Sequence, residues 1–264
     1  MRNQDISVVC PTFNSAAFVI ETLASVVAQN TPPREVIVVD DGSSDGTADL
    51  VEQYFADVNP NFETKVVRAQ HGGPGATRNL GVEAASSRWI AFLDSDDFWV
   101  PSKLTVVTEA LEANPEANFF CHDEVLVTLR QQRVNMTYSR RVDTAGDMVR
   151  QIYFANRFST SAIVCRKDLL VDAGLFDTTL PSAQDYEMWL RMAAGMRPVM
   201  VPESLGEYRE REGNITGGRL GHRFVNECRI AFRYAGEVPK WMVAAKLIRI
   251  TLSYARQFAR RVVR

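Results

Sequence analysis

Short, nearly all-apolar runs alternate with stretches of helical spacing through the first 125 residues. Ile6-Ser7-Val8-Val9-Cys10 predicts a strand buried on both faces, stopped by Pro11. Ser15 to Gln29 follows with Phe18, Leu23, Val26 and Val27 near one face of a helix. Glu35-Val36-Ile37-Val38-Val39 predicts a second buried strand, Thr47 to Phe55 a helix, and Lys65-Val66-Val67 a third strand. Pro74 suits the first turn of a helix running to Ala85. Trp89 to Leu93 predicts another strand, and Pro101 opens the next helix. This alternation predicts an α/β fold with a mostly parallel central sheet and helices on both faces. Ligands of such sheets bind beyond the carboxyl ends of the strands, where the polar clusters of this chain fall.

The second half is less regular. Ser161 to Cys165 predicts a strand, Lys167 to Ala173 a short helix, Gln184 to Ala194 a longer helix and Arg197 to Val201 a strand. Glu207 to Gly218 is charged and Gly-rich and predicts a loop. From Phe224 the pattern is helical again, broken near Pro239. A boundary near residue 215 follows, with an α/β domain over 1–215 (halves 1–125 and 126–215) and a C-terminal helical extension over 216–264.

Composition narrows the classes. Hydrophobic residues make up 46% and charged residues 23%, as in ordinary globular proteins. A net charge of −2 gives no positive field for nucleic acid, so no nucleic-acid partner is expected. The charge is uneven, because Lys240 to Arg264 holds seven basic residues and no acidic one. Cys10, Cys121, Cys165 and Cys228 form no Cys-x-x-Cys pair, and the first three lie in apolar runs, which predicts buried thiols in a reducing cytoplasm. The polar N-terminus lacks a signal-peptide pattern, and no run of about 18 apolar residues predicts a membrane span. His71, His122 and His222 show no ligand spacing.

Three clusters carry candidate chemistry. Asp94-Ser95-Asp96 ends an apolar strand, and aspartates two apart in extended chain project to one side, where both can serve one hard cation. The alternative is a polar turn that caps the next helix. Asp40-Asp41-Gly42-Ser43 follows the second strand and offers carboxylates to a base imide or ribose hydroxyl, although turn and cap chemistry accounts for Asp45-Gly46-Thr47. Pro11-Thr12-Phe13-Asn14 follows the first strand and offers an apolar wall for a nucleoside, or simply leads into a helix. Between them, the glycines of His71-Gly72-Gly73-Pro74-Gly75 allow close backbone approach, and Arg78 suits either a diphosphate or a helix surface.

Taken together, Pro-Thr-Phe-Asn at 11–14, Val-Val-Asp-Asp-Gly-Ser-Ser-Asp-Gly-Thr at 38–47, Ala-Thr-Arg-Asn-Leu-Gly at 76–81 and Phe-Leu-Asp-Ser-Asp-Asp at 92–97 resemble the GT-A fold, family 2 type of inverting glycosyltransferases. The resemblance implies a hexosyltransferase-like enzyme taking a UDP-, GDP- or dTDP-sugar and a glycan or lipid-linked acceptor, in surface polysaccharide or glycolipid synthesis. It implies that Pro11, Thr12, Phe13, Asp41, Arg78, Asp94 and Ser95 bind the nucleotide sugar. Asp96 would hold Mn²⁺ or Mg²⁺. Gln184-Asp185-Tyr186-Glu187-Met188-Trp189 resembles the segment that carries the family's general base, which makes Asp185 the expected base even though Gln184 departs from the usual Glu. Taken alone, Asp185 is a helix-cap candidate. Tyr208-Arg209 is followed by Glu210-Arg211 where relatives place a histidine, so Arg211 either replaces it as a phosphate contact or points outward. A nucleotidyltransferase is a poorer match, since Pro11 to Ser15 has no glycine or basic residue to cradle a triphosphate. A non-catalytic module is disfavoured by the intact Asp94, Asp96 and Asp185.

Residues 240 to 264 predict one helix with Lys246, Arg249, Arg256, Arg260 and Arg264 along one side. Trp241, Leu247, Leu252, Tyr254, Phe258 and Val262 supply its apolar surface. Two expectations follow: peripheral contact with the inner face of an anionic membrane, or packing on the domain or on a second copy in a homodimer. The expected location is cytoplasmic.

Overall fold

The computed structural model describes residues 5–211 and 220–262. The first half follows the strand–helix alternation: β1 (Ile6–Thr12), α1 (Val19–Val27), β2 (Glu35–Asp40), α2 (Thr47–Val58), β3 (Glu63–Arg68), α3 (Gly73–Ala84) and β4 (Trp89–Phe92). A two-residue β5 (Phe98–Trp99) and α4 (Lys103–Ala113) come next, followed by β6 (Phe119–Val127), β7 (Arg133–Met136), α5 (Met148–Phe154), β8 (Ile163–Arg166), α6 (Lys167–Asp172) and α7 (Gln184–Met192). The described chain ends with β9 (Pro198–Arg209), α8 (Leu220–Arg233) and α9 (Lys240–Val262).

One sheet runs in the order β3-β2-β1-β4-β8-β6-β9-β5, with β7 also on β6. The four strands β3-β2-β1-β4 are wholly parallel, whereas β8, β5 and β7 pair antiparallel and β9 runs parallel to β6. Period-two alternation sorts the strand residues between two cores. Val9, Ile37 and Val39 face the side of α3, α5 and α7, while Val8, Cys10, Val36 and Val38 face α1, α2 and α4. The expected layering of helices on both faces is met. On the first side Trp189 of α7 sits among Phe92, Phe119 and Phe176, with ring centroids 5.9–6.3 Å from its own, which anchors α7 to the sheet.

Two boundaries differ from the sequence expectation. β1 continues through Pro11 to Thr12, because β4 pairs only with Ile6 to Val9 and so Pro11 is paired on the β2 side alone. β9 runs on to Arg209 rather than ending at Val201, so Glu207 to Arg209 is strand and not loop. Its charged side chains are absorbed by ion pairs of Glu207 with Arg133 and of Arg209 with Glu21. The rest of the expected loop, residues 212–218, and the boundary at 215 lie outside the described residues. Cys10, Cys121 and Cys165 are buried, as expected from their strands.

Glu35 is a fully buried carboxylate at the start of β2. It accepts from Lys65 Nζ at 2.5 Å, Ser7 Oγ at 2.6 Å and Ser86 N and Oγ at 2.6 and 2.7 Å. Burial pushes its carboxyl up, but these donors outweigh that and hold it at about 2.

The glycine of Ala-Thr-Arg-Asn-Leu-Gly has a packing reason. A Cβ at Gly81 would lie 2.3 Å from Val9 Cγ1 and 3.4 Å from Val39 Cγ2, so α3 approaches the sheet only as closely as a missing side chain allows. Val9 is β-branched and fully buried and cannot give way cheaply. Gly81→Ala should therefore destabilise the protein by about 1–3 kcal/mol, the range for overpacking, read as a lower urea midpoint. An unchanged midpoint would mean that α3 is not wedged against β1.

Candidate active site

The acidic cluster follows β4 and is held from beneath. Asp94 N donates to Ser161 Oγ at 3.1 Å, and Ser161 Oγ donates to Asp97 Oδ2 at 2.5 Å. Trp99 Nε1 and Lys103 Nζ both donate to the Ser161 carbonyl at 3.0 Å. Asp97 also accepts from Arg209 N at 3.2 Å, which ties the end of β9 to the same turn. Burial, with the charges of Asp96, Glu124 and Asp94, pushes Asp97 well above the usual carboxylate range. Asp97, Ser161 and Lys103 are supports that the sequence reading missed, because a polar residue in a buried position carries no periodic signal. Ser161→Ala should cost about 1–3 kcal/mol of stability by stranding buried partners, read by chemical denaturation. The same variant should bind nucleoside diphosphate more weakly. Wild-type behaviour in both would remove Ser161 from this role.

All eight residues expected at the nucleotide and metal sites line one cavity of about 630 Å³: Pro11, Thr12, Phe13, Asp41, Arg78, Asp94, Ser95 and Asp96. Several of their polar groups already hold the walls together. Asp41 accepts from Gly72 N at 2.7 Å, Gly73 N at 3.0 Å and His71 Nδ1 at 2.9 Å, and so closes the glycine loop onto the end of β2. Thr12 Oγ1 lies 3.3 Å from Asp40 Oδ1, and Ser95 Oγ lies 2.9 Å from Ser15 Oγ. Phe13 is 47% exposed and stacks on His71 with centroids 4.5 Å apart, leaving an aromatic surface at the cavity. His71 is thus a wall residue. His122 is buried, and burial with the Lys103 charge holds its pKa well below the usual value.

Asp96 is the carboxylate with the least hydrogen bonding in the turn. Burial and then the charge of Asp94 push it to about 6, with Arg211 pulling the other way. Arg211 lies on the same cavity, 4.0 Å over the Phe18 ring, with Nη2 3.3 Å from the Asp96 carbonyl and Nε 3.9 Å from its carboxylate. Among the described residues no group of three or more His, Cys, Asp or Glu is placed to hold a metal ion. Two repelling carboxylate side chains suit a hard cation that takes its remaining oxygens from a diphosphate and water.

A second cavity of about 470 Å³ adjoins the first, and Arg78, Asp94 and Tyr208 line both. Arg78 Nη2 donates to Asp94 Oδ1 at 2.6 Å, while its buried Nε and Nη1 have no partner among the described residues. Asp185 faces this second cavity from the first turn of α7. It is not the cap of that helix, whose preceding residue, Ala183, has φ 61°. Its Oδ2 accepts from Asn156 Nδ2 at 3.1 Å, and burial pushes its pKa up against the pull of the Arg78 charge. Glu187, two residues on, is structural: it pairs with Arg191 and Arg233 and accepts from Tyr234 at 2.5 Å. The sequence reading had no means of finding Asn156, Lys246 and Arg249 on this cavity, because each comes from a distant segment.

The structure is an α/β fold with two adjoining cavities, the first at the carboxyl ends of its parallel strands, and comparison with known proteins gives its family. The family model described as Glycosyl transferase family 2 matches residues 7–170, more than half of the chain, and the chain belongs to that family. It is 27% identical over 205 residues to an uncharacterized glycosyltransferase of Haemophilus influenzae, covering 76% of this chain and 66% of that one. It is 38% identical over 99 residues to a putative teichuronic acid biosynthesis glycosyltransferase of Bacillus subtilis, covering 38% of each. The chain thus spans less than two thirds of the length of these relatives. Among solved structures, S. aureus TarS in complex with UDP-GlcNAc aligns with a TM-score of 0.73 at 22% identity, over 94% of this chain and 72% of that one. A mannosyltransferase of Pyrobaculum calidifontis in complex with GDP-Man and Mn²⁺ aligns with a TM-score of 0.70 at 18% identity, over 99% and 76%. Both are likenesses of fold, and the GT-A architecture expected from the sequence is the one found.

Proposed function

We propose that this chain transfers a sugar, with inversion, from a nucleoside diphosphate donor to an acceptor hydroxyl, in surface polysaccharide or glycolipid synthesis. The observation that carries the proposal is the junction of two cavities at Arg78, Asp94 and Tyr208, with the nucleotide-type walls on one side and Asp185 on the other. Pro11 and Phe13 would flank the base, with the Asp41-pinned glycine loop beside them. Arg78 and Arg211 would meet the diphosphate, and Asp94 the ribose or the sugar. The solved neighbours with UDP-GlcNAc and GDP-Man support a nucleotide-sugar donor without choosing among UDP, GDP and dTDP. In domain terms residues 1–125 would hold the donor, 126–215 the acceptor, and 216–264 would complete the acceptor side.

Asp185 takes the proton of the acceptor hydroxyl as that oxygen bonds to the anomeric carbon. The bond to the diphosphate oxygen breaks on the opposite face, and its electron pair leaves with the diphosphate. Asn156 keeps the carboxylate oriented, and the raised pKa makes it a stronger base than an exposed aspartate. Asp96, with Asp94 beside it, would hold Mg²⁺ or Mn²⁺, which when bound supplies positive charge against the departing diphosphate.

Two outcomes follow. Asp185→Asn should fold and bind nucleoside diphosphate normally but lose turnover by roughly 10²–10⁴-fold. In the wild type, activity should fall on the acid side at a pH above the ordinary aspartate value, since a base with a raised pKa is protonated earlier. Near-normal turnover of a folded Asp185→Asn enzyme would remove Asp185 from the chemistry. Asp96→Ala should abolish metal-dependent binding of nucleoside diphosphate in calorimetry. Affinity that is unchanged and insensitive to EDTA would refute the metal assignment.

The C-terminal helix divides its expected basic side. Lys246 is fully buried and Arg249 half-buried against the domain, Arg256 is exposed, and Arg260 and Arg264 lie outside the described side chains. Its outer face carries exposed Trp241, Ile248, Leu252 and Phe258. This supports peripheral contact, with the inner face of a membrane or a second copy, that would keep a cytoplasmic enzyme near a lipid-linked acceptor. Among the described residues no helix is long and apolar enough to cross a membrane.

A further inference from the structure

The acceptor-side cavity is cationic, and its charge comes mostly from beyond the segment matched by the family model. Apart from Arg78, which pairs with Asp94, it is lined by Arg141, Arg223, Lys246 and Arg249. Against them stand Asp185 and Glu227. Glu227 is partly engaged, accepting from Tyr254 at 2.9 Å and lying 3.9 Å from Arg249.

The cations crowd one another. Burial and then the charges of Arg249 and Arg141 lower the pKa of neighbouring Arg157. Burial and then Arg249 push Lys246 down to about 7, with Glu227 opposing. Lys246 Nζ is nonetheless held at 2.8 Å by the Tyr186 hydroxyl, one residue from Asp185, so the ammonium is fixed where it lines the cavity. The buried Nε of Arg249 has no hydrogen-bond partner among the described residues. A folded chain gathers like charges and leaves a buried guanidinium N–H unmatched only at a cost in stability, and an oxyanion in the cavity relieves both.

Resting on the glycosyltransferase proposal, we infer that the acceptor is itself an anion, with a phosphate or carboxylate group seated against Arg141 and Arg249, near the buried Lys246, while its hydroxyl faces Asp185. The α8–α9 extension is then the specificity element of the acceptor site. Charge pairing at this distance from the reacting hydroxyl positions the acceptor without taking part in bond making.

The test is calorimetric titration of the full chain with glycerol 1-phosphate, glucuronate and uncharged glycerol, with Mg²⁺ and saturating nucleoside diphosphate blocking the donor cavity. One or both anions should bind and glycerol should not, and the better anion tells phosphate from carboxylate. Arg141→Gln and Arg249→Gln should each weaken anion binding by roughly fivefold or more, the scale of one charge-assisted hydrogen bond, with nucleoside diphosphate affinity unchanged. Arg141 is exposed, so its variant decides the matter should Arg249→Gln fail to fold. Anion binding no tighter than that of glycerol, or unmoved by the substitutions, overturns the inference. Absence of nucleoside diphosphate binding would instead sink the donor assignment, and the anion titrations, repeated without nucleotide, would still judge the cationic cavity.

Discussion

Three carboxylates, Asp94, Asp96 and Asp97, fall within four residues at the end of β4, and the fold must hold them there against their mutual repulsion. Arg78 neutralises Asp94 from α3, Arg211 approaches Asp96 from beyond β9, and Ser161 with the Arg209 amide meets Asp97 from below. These partners come from three segments, namely α3, the turn that leads into β8 and the end of β9. The turn is therefore held by segments far apart in the sequence. In the proposed reaction, carboxylates held this close suit a hard cation, whose positive charge would offset their repulsion.

The same turn links the two halves of the proposed reaction. Arg78 and Asp94 form the wall between the nucleotide-type cavity and the Asp185 cavity, so a group bound by one side is presented to the other. Gly81 sets how near α3 lies to the sheet and hence where the Arg78 guanidinium is delivered, one turn earlier on the same helix. Trp189 does the equivalent for α7 and Asp185. Packing far from any reacting atom thus sets the geometry of the junction.

Much of this was legible in the sequence. Strands β1, β2 and β4 are continuous apolar runs because helices cover both their faces, and the motifs at their ends, with Arg78 of α3, brought all eight expected residues to one cavity. The misses have physical causes. Only the start of β6 was visible, because its apolar Phe119-Phe120-Cys121 run passes into His122-Asp123-Glu124, polar residues buried by a hydrogen-bonded network with Tyr138 and Ser139. The end of β9 reads as a charged loop because its charges are matched by β7 and α1, and ion pairs between distant segments leave no local pattern. The basic side of α9 reads as a solvated or membrane-facing stripe, yet Lys246 is turned inward against Tyr186. Helical periodicity gives the faces of a helix but not which face the domain covers.

The account stands on the cavity at the ends of β1, β2 and β4 being the donor site, and a crystal structure with a nucleoside diphosphate and Mn²⁺ tests this most directly. The account predicts the base beside Pro11 and Phe13, the ion on Asp96, and the diphosphate between that ion and Arg78 or Arg211, with the Asp185 cavity left open. A nucleotide seated elsewhere, or an ion that does not touch the Asp94–Asp96 turn, would contradict it.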